Sequence, residues 1–261
     1  MISLMQLLNE SQGSPKAIIL AGAPGAGKGY VLKGLDLGGL KTMNIDSIFI
    51  DKLKTANVTL DLKNATPEER SEQAKQMAAA NKEFKGDIQS TIEGKESFIL
   101  DGTAASLKQT SELKIQLEEA GYDVFMLYVY TDLERSLSQN NDRFEKSGGE
   151  DRSLAPAIVM RTWMNVTKNY EPYSDMFGNN FALVANTLED KMDNVEDIIK
   201  KYLDPFRPQG TKPKTPAQKE KSDKSYAEMK TDLNSLLKGD FTSDSSSKEE
   251  AQSKISQFLN S

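Results

Sequence analysis

The 261-residue sequence contains no cysteine, no histidine and a single tryptophan. Without cysteine there are no disulfides, no thiolate nucleophile and no thiolate metal site, and without histidine the commonest general base and zinc ligand is missing too. Acid–base chemistry therefore falls to carboxylates, lysine or tyrosine. A basic excess is also lacking: 33 Lys and Arg stand against 39 Asp and Glu, a formal net charge of −6. That balance argues against a protein built to coat nucleic acid, although a local basic groove stays open. No run approaches the roughly 18 to 20 apolar residues that span a bilayer, and the N-terminus lacks the basic start and apolar stretch of a secretory signal. A soluble, cytoplasmic protein with no membrane partner is expected. With 37% hydrophobic residues, the chain has enough apolar material for one sizeable core plus appendages.

What is present reads as alternating strands and helices. Compact apolar runs at Ala17 to Ala21, Thr42 to Ile45, Phe98 to Leu100, Val124 to Tyr130 and Phe181 to Val184 have the near-continuous character of strands buried on both faces. Between them, Thr66-Pro67-Glu68-Glu69 predicts a helix start, and the stretch from Ser106 to Ala120 predicts a helix stopped by Gly121. The expected fold is α/β, a five-stranded parallel sheet over residues 15–204. Residues 1–14 form an amphipathic arm. Residues 205–224, rich in Pro, Lys and Ser, read as a flexible linker. Residues 225–261 hold two short amphipathic helices, one lined by Tyr226, Met229, Leu233, Leu236 and Leu237, the other by Ala251, Ile255, Phe258 and Leu259 behind a Ser246 to Glu249 capping box. Helices this short need something to pack on: each other, the body, another subunit or a partner.

The chemistry centres on Gly22-Ala23-Pro24-Gly25-Ala26-Gly27-Lys28. This GxxxxGK string follows a buried strand and opens a helix, so its backbone N–H groups converge on phosphate oxygens and Lys28 reaches the β- and γ-phosphates of ATP. Gly29 stands where most P-loops place a Ser or Thr on magnesium. The string resembles that of adenylate kinases, which share that Gly, but their following Thr is Tyr30 here. Magnesium must then rely on phosphate oxygens, water and a carboxylate elsewhere. Asp101, ending the run Phe98-Ile99-Leu100-Asp101-Gly102, is that carboxylate in a Walker B position; alternatively it merely starts a turn. Asp46, after the second strand, is the expected base for an acceptor hydroxyl, with a helix-start Asp as the alternative and Asp51 as a weaker rival.

A basic cluster follows the fourth strand: Arg135, Arg143, Lys146, Arg152 and Arg161 around Gly148-Gly149. It has the position of a lid, and Arg143 and Arg152 are assigned to the transferring phosphoryl group because a guanidinium binds phosphate in two places. The alternative is a set of solvated helix charges paired with Asp132, Glu134, Asp142 and Glu145. Ile158, Val159, Trp163 and Val166, at helical spacing, are expected to be core.

Gly22 to Lys28, Asn44-Ile45-Asp46, Asp101-Gly102-Thr103, Glu119-Ala120-Gly121-Tyr122 and the Arg-bearing lid together resemble the zeta-toxin and polynucleotide-kinase branch of P-loop kinases, over about Lys16 to Leu203. The resemblance implies Asp46 as base, Lys28 on ATP, and Arg143 or Arg152 in support. The acceptors it implies are nucleotide sugars, nucleic-acid 5′-hydroxyls or other small hydroxyl compounds. The family commonly has Glu-Gly-Thr where this chain has Asp101-Gly102-Thr103. Met1 to Glu10, ending in Leu8-Asn9-Glu10, resembles the cleaved capsid-targeting peptides of T4-type phages, which implies a host-cytoplasm or virion-interior location. An amphipathic helix docked on the body is the competing reading. An ATP-dependent phosphotransferase is the leading function. A nucleotide-binding structural or virion-packaged protein with a degraded site is one alternative. A nucleoside-monophosphate kinase is another, disfavoured because Thr103-Ala104-Ala105 replaces that family's Phe-Pro-Arg.

Overall fold

The computed structural model describes residues 13–35, 37, 39–188, 194–204 and 216–261. The N-terminal arm, with its resemblance to a targeting peptide, lies outside the described residues but for its last two positions. Among the described residues no helix is long and apolar enough to cross a membrane.

Five strands, β1 (Lys16–Ala21), β2 (Lys41–Met43), β3 (Phe98–Leu100), β4 (Asp123–Tyr130) and β5 (Phe181–Ala185), form one all-parallel sheet in the order β2-β3-β1-β4-β5. Ala17 of central β1 stands opposite Phe98 on one side and Val124 on the other. All six β1 residues are buried, because helices cover both faces of a parallel sheet. The chain leaves β1 for the β2 side and later returns to the β4 side. Loops from β1 and β3 therefore diverge at the carboxyl edge, the place where such sheets bind ligands.

The connecting helices are α1 (Lys28–Lys33), α2 (Ile45–Thr55), α3 (Pro67–Glu93), α4 (Leu107–Glu119), α5 (Leu133–Lys146), α6 (Pro156–Lys168), α7 (Tyr170–Phe177), α8 (Val195–Ile198), α9 (Pro216–Lys238) and α10 (Lys248–Leu259). A capping box starts α3: the Thr66 hydroxyl accepts from Glu69 N–H, and the Glu69 carboxylate accepts from Thr66 N–H. Trp163 and Val159 are buried in the larger core as expected, and the Trp163 indole N–H donates to Thr131 O at 2.7 Å. Burial raises the Tyr128 phenol far above its ordinary pKa, and its hydroxyl donates to Val166 O at 2.9 Å.

Several boundaries differ from the sequence reading. The second strand stops at Met43, not Ile45, because Asn44 turns the chain into α2 and caps it. The last capping box is Ser247 with Glu250, one residue later than expected, since Ser246 is used to donate its backbone N–H to Leu183 O at 2.7 Å. Helix α9 begins at Pro216, inside the expected linker; proline at a first turn loses no hydrogen bond. Ile158 is not core: it is 51% exposed.

The tail helices pack on the body. Leu233 is fully buried with the larger core, joined by Met229, Leu236 and Leu237, whereas Tyr226 stays partly exposed. On the opposite sheet face, Ala251, Ile255 and Phe258 of α10 are buried against Ile18, Leu20, Phe125 and Leu127. Phe258 tilts over Phe125 at 5.2 Å between ring centroids. Helix α1 is only six residues long, too short to cover this face, and α10 supplies the missing layer.

Candidate active site

A cleft of about 710 Å³ opens at the carboxyl edge of the sheet. Its floor is the part of the glycine-rich loop from Pro24 to Gly29. Gly25 and Gly27 have φ of +77° and +82°, and a Cβ at Gly25 would meet Ser136 O at 2.7 Å, so a larger residue has no room there. The loop is braced through its carbonyls: Ser136 Oγ donates to Pro24 O at 2.5 Å and Asn186 Nδ2 to Ala26 O at 2.8 Å. Among the described residues, the N–H groups of Gly25, Gly27 and Lys28 donate to no protein acceptor. Free donors held open by carbonyl braces form an anion cradle.

Lys28 Nζ donates to Gly22 O at 2.9 Å and to Ala23 O at 3.3 Å. Burial lowers its pKa from the ordinary lysine value. The Asp101 and Asp46 carboxylates oppose this, while the Arg143 and Arg152 guanidiniums add to it. Lys28, Asp46, Asp101, Arg143 and Arg152 all line the one cleft. A phosphate bound at Lys28 favours the charged form, so nucleotide binding on the alkaline side of neutrality should take up protons. Calorimetry in two buffers of different ionisation enthalpy checks this; a Lys28→Ala chain should show no such uptake.

The two acids are joined by a residue that the sequence reading quoted but gave no role. Asn44 Oδ1 accepts from Asp46 N–H at 2.7 Å, and Asn44 Nδ2 donates to Asp101 Oδ2 at 2.6 Å. The signal for it was an Asn immediately before a helix, the preferred N-cap. Asp46 thus sits in the first turn of α2 instead of at a strand end. Its Oδ2 accepts from Arg152 Nη2, and its Oδ1 accepts no hydrogen bond among the described residues. Asp101 follows β3 directly, with its N–H on Met43 O at 2.8 Å.

The lid arginines divide. Arg143 and Arg152 line the cleft with Lys146; Arg135 instead donates to Thr187 O at 3.2 Å, and Arg161 is exposed away from the cleft. Arg143 pairs with Asp151 and Lys146 with Asp142, so the solvated-pair reading holds for part of the cluster. Asp51 lines a different pocket with Lys52 and Glu83. Tyr30 points to solvent, 67% exposed, with Lys248 Nζ 3.6 Å from its ring centroid, and is absent from the cleft walls, as are Gly22 and Ala23. Gln139, Thr103, Met77, Ile158 and Thr162 complete the cleft without having been singled out as site residues from the sequence. The turn that carries Thr103 is held by Tyr173 Oη, which donates to Ala104 O at 2.7 Å, with Ala104 at φ +50°.

Among the described residues no group of three or more acidic side chains forms a metal cage. The donor set suits magnesium nonetheless, which takes one or two carboxylates and completes its shell with phosphate oxygens and water. Asp101, which lines the cleft with Lys28, could supply such a carboxylate. A Cβ at Gly29 meets nothing within 4 Å. Gly29→Ser should therefore be tolerated, gain helix stability of about 0.5 kcal/mol, and tighten magnesium–nucleotide binding; thermal melting and magnesium titration check both.

A family model described as Zeta toxin matches residues 3–177. The chain belongs to the zeta toxin family. The family match covers the phosphate loop, both acids and the lid, and stops before β5 and the tail helices. Among solved structures, the native AvrRxo1-ORF1:-ORF2 complex is 19% identical, covers 96% of this chain and 82% of its own, and superposes with a TM-score of 0.51. A kinase structure from Chloroflexus aurantiacus is 14% identical, covers 73% of this chain and 99% of its own, with a TM-score of 0.47. The PezAT toxin–antitoxin system of Streptococcus pneumoniae is 15% identical, covers 90% and 95%, with a TM-score of 0.43. No curated protein matches the chain. The family places the protein among P-loop phosphotransferases, on the parallel α/β fold that the sequence implied.

Proposed function

We propose that the protein transfers the γ-phosphate of ATP to a hydroxyl of a small-molecule, nucleotide-sugar or nucleic-acid acceptor. The observation that carries this is the convergence of Lys28, Asp46, Asp101, Arg143 and Arg152 on one cleft. The free amides of the loop and Lys28 hold the triphosphate. Three carboxylates line the cleft, each with one oxygen bonded: Asp101 to Asn44, Asp142 to Lys146 and Asp46 to Arg152; Asp46, beside the phosphate-binding Arg152, is assigned as the base. Its free Oδ1 takes the acceptor proton while the hydroxyl oxygen bonds to the γ-phosphorus and the bond to the β–γ bridging oxygen breaks, releasing ADP. Arg143 and Arg152 neutralise the charge that develops on the transferred group. Magnesium, when bound with Asp101, supplies further neutralisation of the phosphates.

The test is a panel of acceptors incubated with labelled ATP and magnesium: nucleosides, nucleoside monophosphates, nucleotide sugars and 5′-hydroxyl oligonucleotides. Label should move to one class and not move with Lys28→Ala. ATP bound without turnover across the panel supports a nucleotide-binding structural role instead.

A further inference from the structure

The segment between α5 and α6 borders the cleft through Arg152 and Leu154, and between these two Ser153 is fastened to the connection between α2 and α3. Ser153, 3% exposed, donates its N–H to Leu60 O at 3.1 Å and its hydroxyl to Asp61 Oδ1 at 2.6 Å, and accepts from Lys63 N–H at 3.2 Å. Asp61 is in turn fixed by Asn64, whose N–H and Nδ2 donate to its two oxygens at 3.3 and 2.8 Å. On the near side, buried Asn140 of α5 donates Nδ2 to Leu154 O at 2.8 Å and accepts from Leu154 N–H at 3.3 Å. A surface loop is ordinarily satisfied by water; here the consecutive residues Ser153 and Leu154 are tied to two different parts of the body, the connection between α2 and α3 and helix α5. Arg152 immediately precedes them. Its side chain is 11% exposed, pairs with Asp46, and keeps a buried Nε–H without any partner. A buried unpaired guanidinium donor costs free energy that a bound anion recovers.

We infer that Asp61 and Ser153 are positioning residues whose hydrogen bond holds Arg152 against the terminal phosphate of the bound nucleotide. The inference rests on the reading of the cleft as a nucleotide site. Asp61 suits the task as a fixed anion: burial works to raise its pKa, but hydrogen bonds from Ser153 and Asn64 outweigh it and lower the pKa below the ordinary aspartate value. The effect on Arg152 is geometric, since small misplacement of a phosphate-binding group removes much of its contribution.

Binding of ATP and of ADP to the full chain, each with magnesium and measured by calorimetry, tests this without knowledge of the acceptor. Arg152→Ala should weaken ATP about tenfold and leave ADP nearly unchanged, the loss of one charge-assisted contact to the γ-phosphate. Ser153→Ala should reproduce most of that selective loss, and should add nothing in the Arg152→Ala background. Asp61→Ala removes the same contact from the partner side, so a folding defect in one variant does not decide the result. A Ser153→Ala chain with wild-type preference for ATP, an equal loss for ADP, or losses that add to those of Arg152→Ala overturn the inference and leave the proposed function standing. Equal wild-type affinity for ATP and ADP also overturns it. Failure of the wild-type chain to bind ATP overturns both.

Discussion

Asp46→Asn should lower the turnover of phosphate transfer by about 100- to 10,000-fold, the range associated with loss of a general base, while leaving the KM for ATP within a few-fold of wild type. The split follows from position. Asp46 belongs to the start of α2 and not to the phosphate loop, and its Oδ1 accepts no hydrogen bond among the described residues, so on the proposed mechanism it meets the acceptor and not the polyphosphate. The amide is isosteric and keeps the N–H that Asn44 accepts, which preserves the start of α2. Losing the carboxylate does leave Arg152 without its partner and removes a negative charge from a helix N-terminus, a stability cost on the order of 1 kcal/mol. Steady-state kinetics with the acceptor identified by the panel, alongside thermal melting, separates the two effects. Retention of full transfer by Asp46→Asn would move the base elsewhere, and Asp101 is the nearest carboxylate on the same network.

Removal of residues 246–261 should unfold the protein, not merely release a partner-binding tail. Phe258, Ile255 and Ala251 are buried against Ile18, Leu20, Phe125 and Leu127 on one face of the sheet. Truncating Phe258 alone to Ala should cost about 3 to 5 kcal/mol and Ile255→Ala about 2 to 5 kcal/mol, against a total stability of about 5 to 15 kcal/mol for a typical domain. Urea denaturation of the single variants, read by Trp163 fluorescence, gives both values. Single variants within about 0.5 kcal/mol of wild type would show that α10 contributes little to the core.

Much of the sheet could be read from the sequence because parallel strands buried on both faces are continuous apolar runs, and the phosphate loop because its glycines are demanded by positive φ. Asn44 was harder to assign, since its two bonds run to residues 2 and 57 positions away, and spacing shows only the first of these. The Asp61–Ser153 contact spans 92 positions and leaves no periodic trace. Charge clustering marked the lid, and Arg143 and Arg152, chosen from it ahead of Arg135 and Arg161, both line the cleft; Lys146, which lines it too, was not chosen, because that depends on which way the helix face turns. The tail was legible as two amphipathic helices, yet the pattern of apolar positions names a buried face without naming what buries it.

The order of synthesis gives α10 a further consequence. Strand β1, made early, sits at the centre of the sheet, and one of its faces is closed by a helix translated more than 200 residues later. Folding cannot proceed simply from the first element to the last. A nascent chain carries its phosphate-loop strand with one side covered only in part, by Val31 and Leu35, until α10 has emerged, so nucleotide affinity should arrive late during translation, and products of premature termination should be cleared as unfolded polypeptide before they can bind or consume nucleotide.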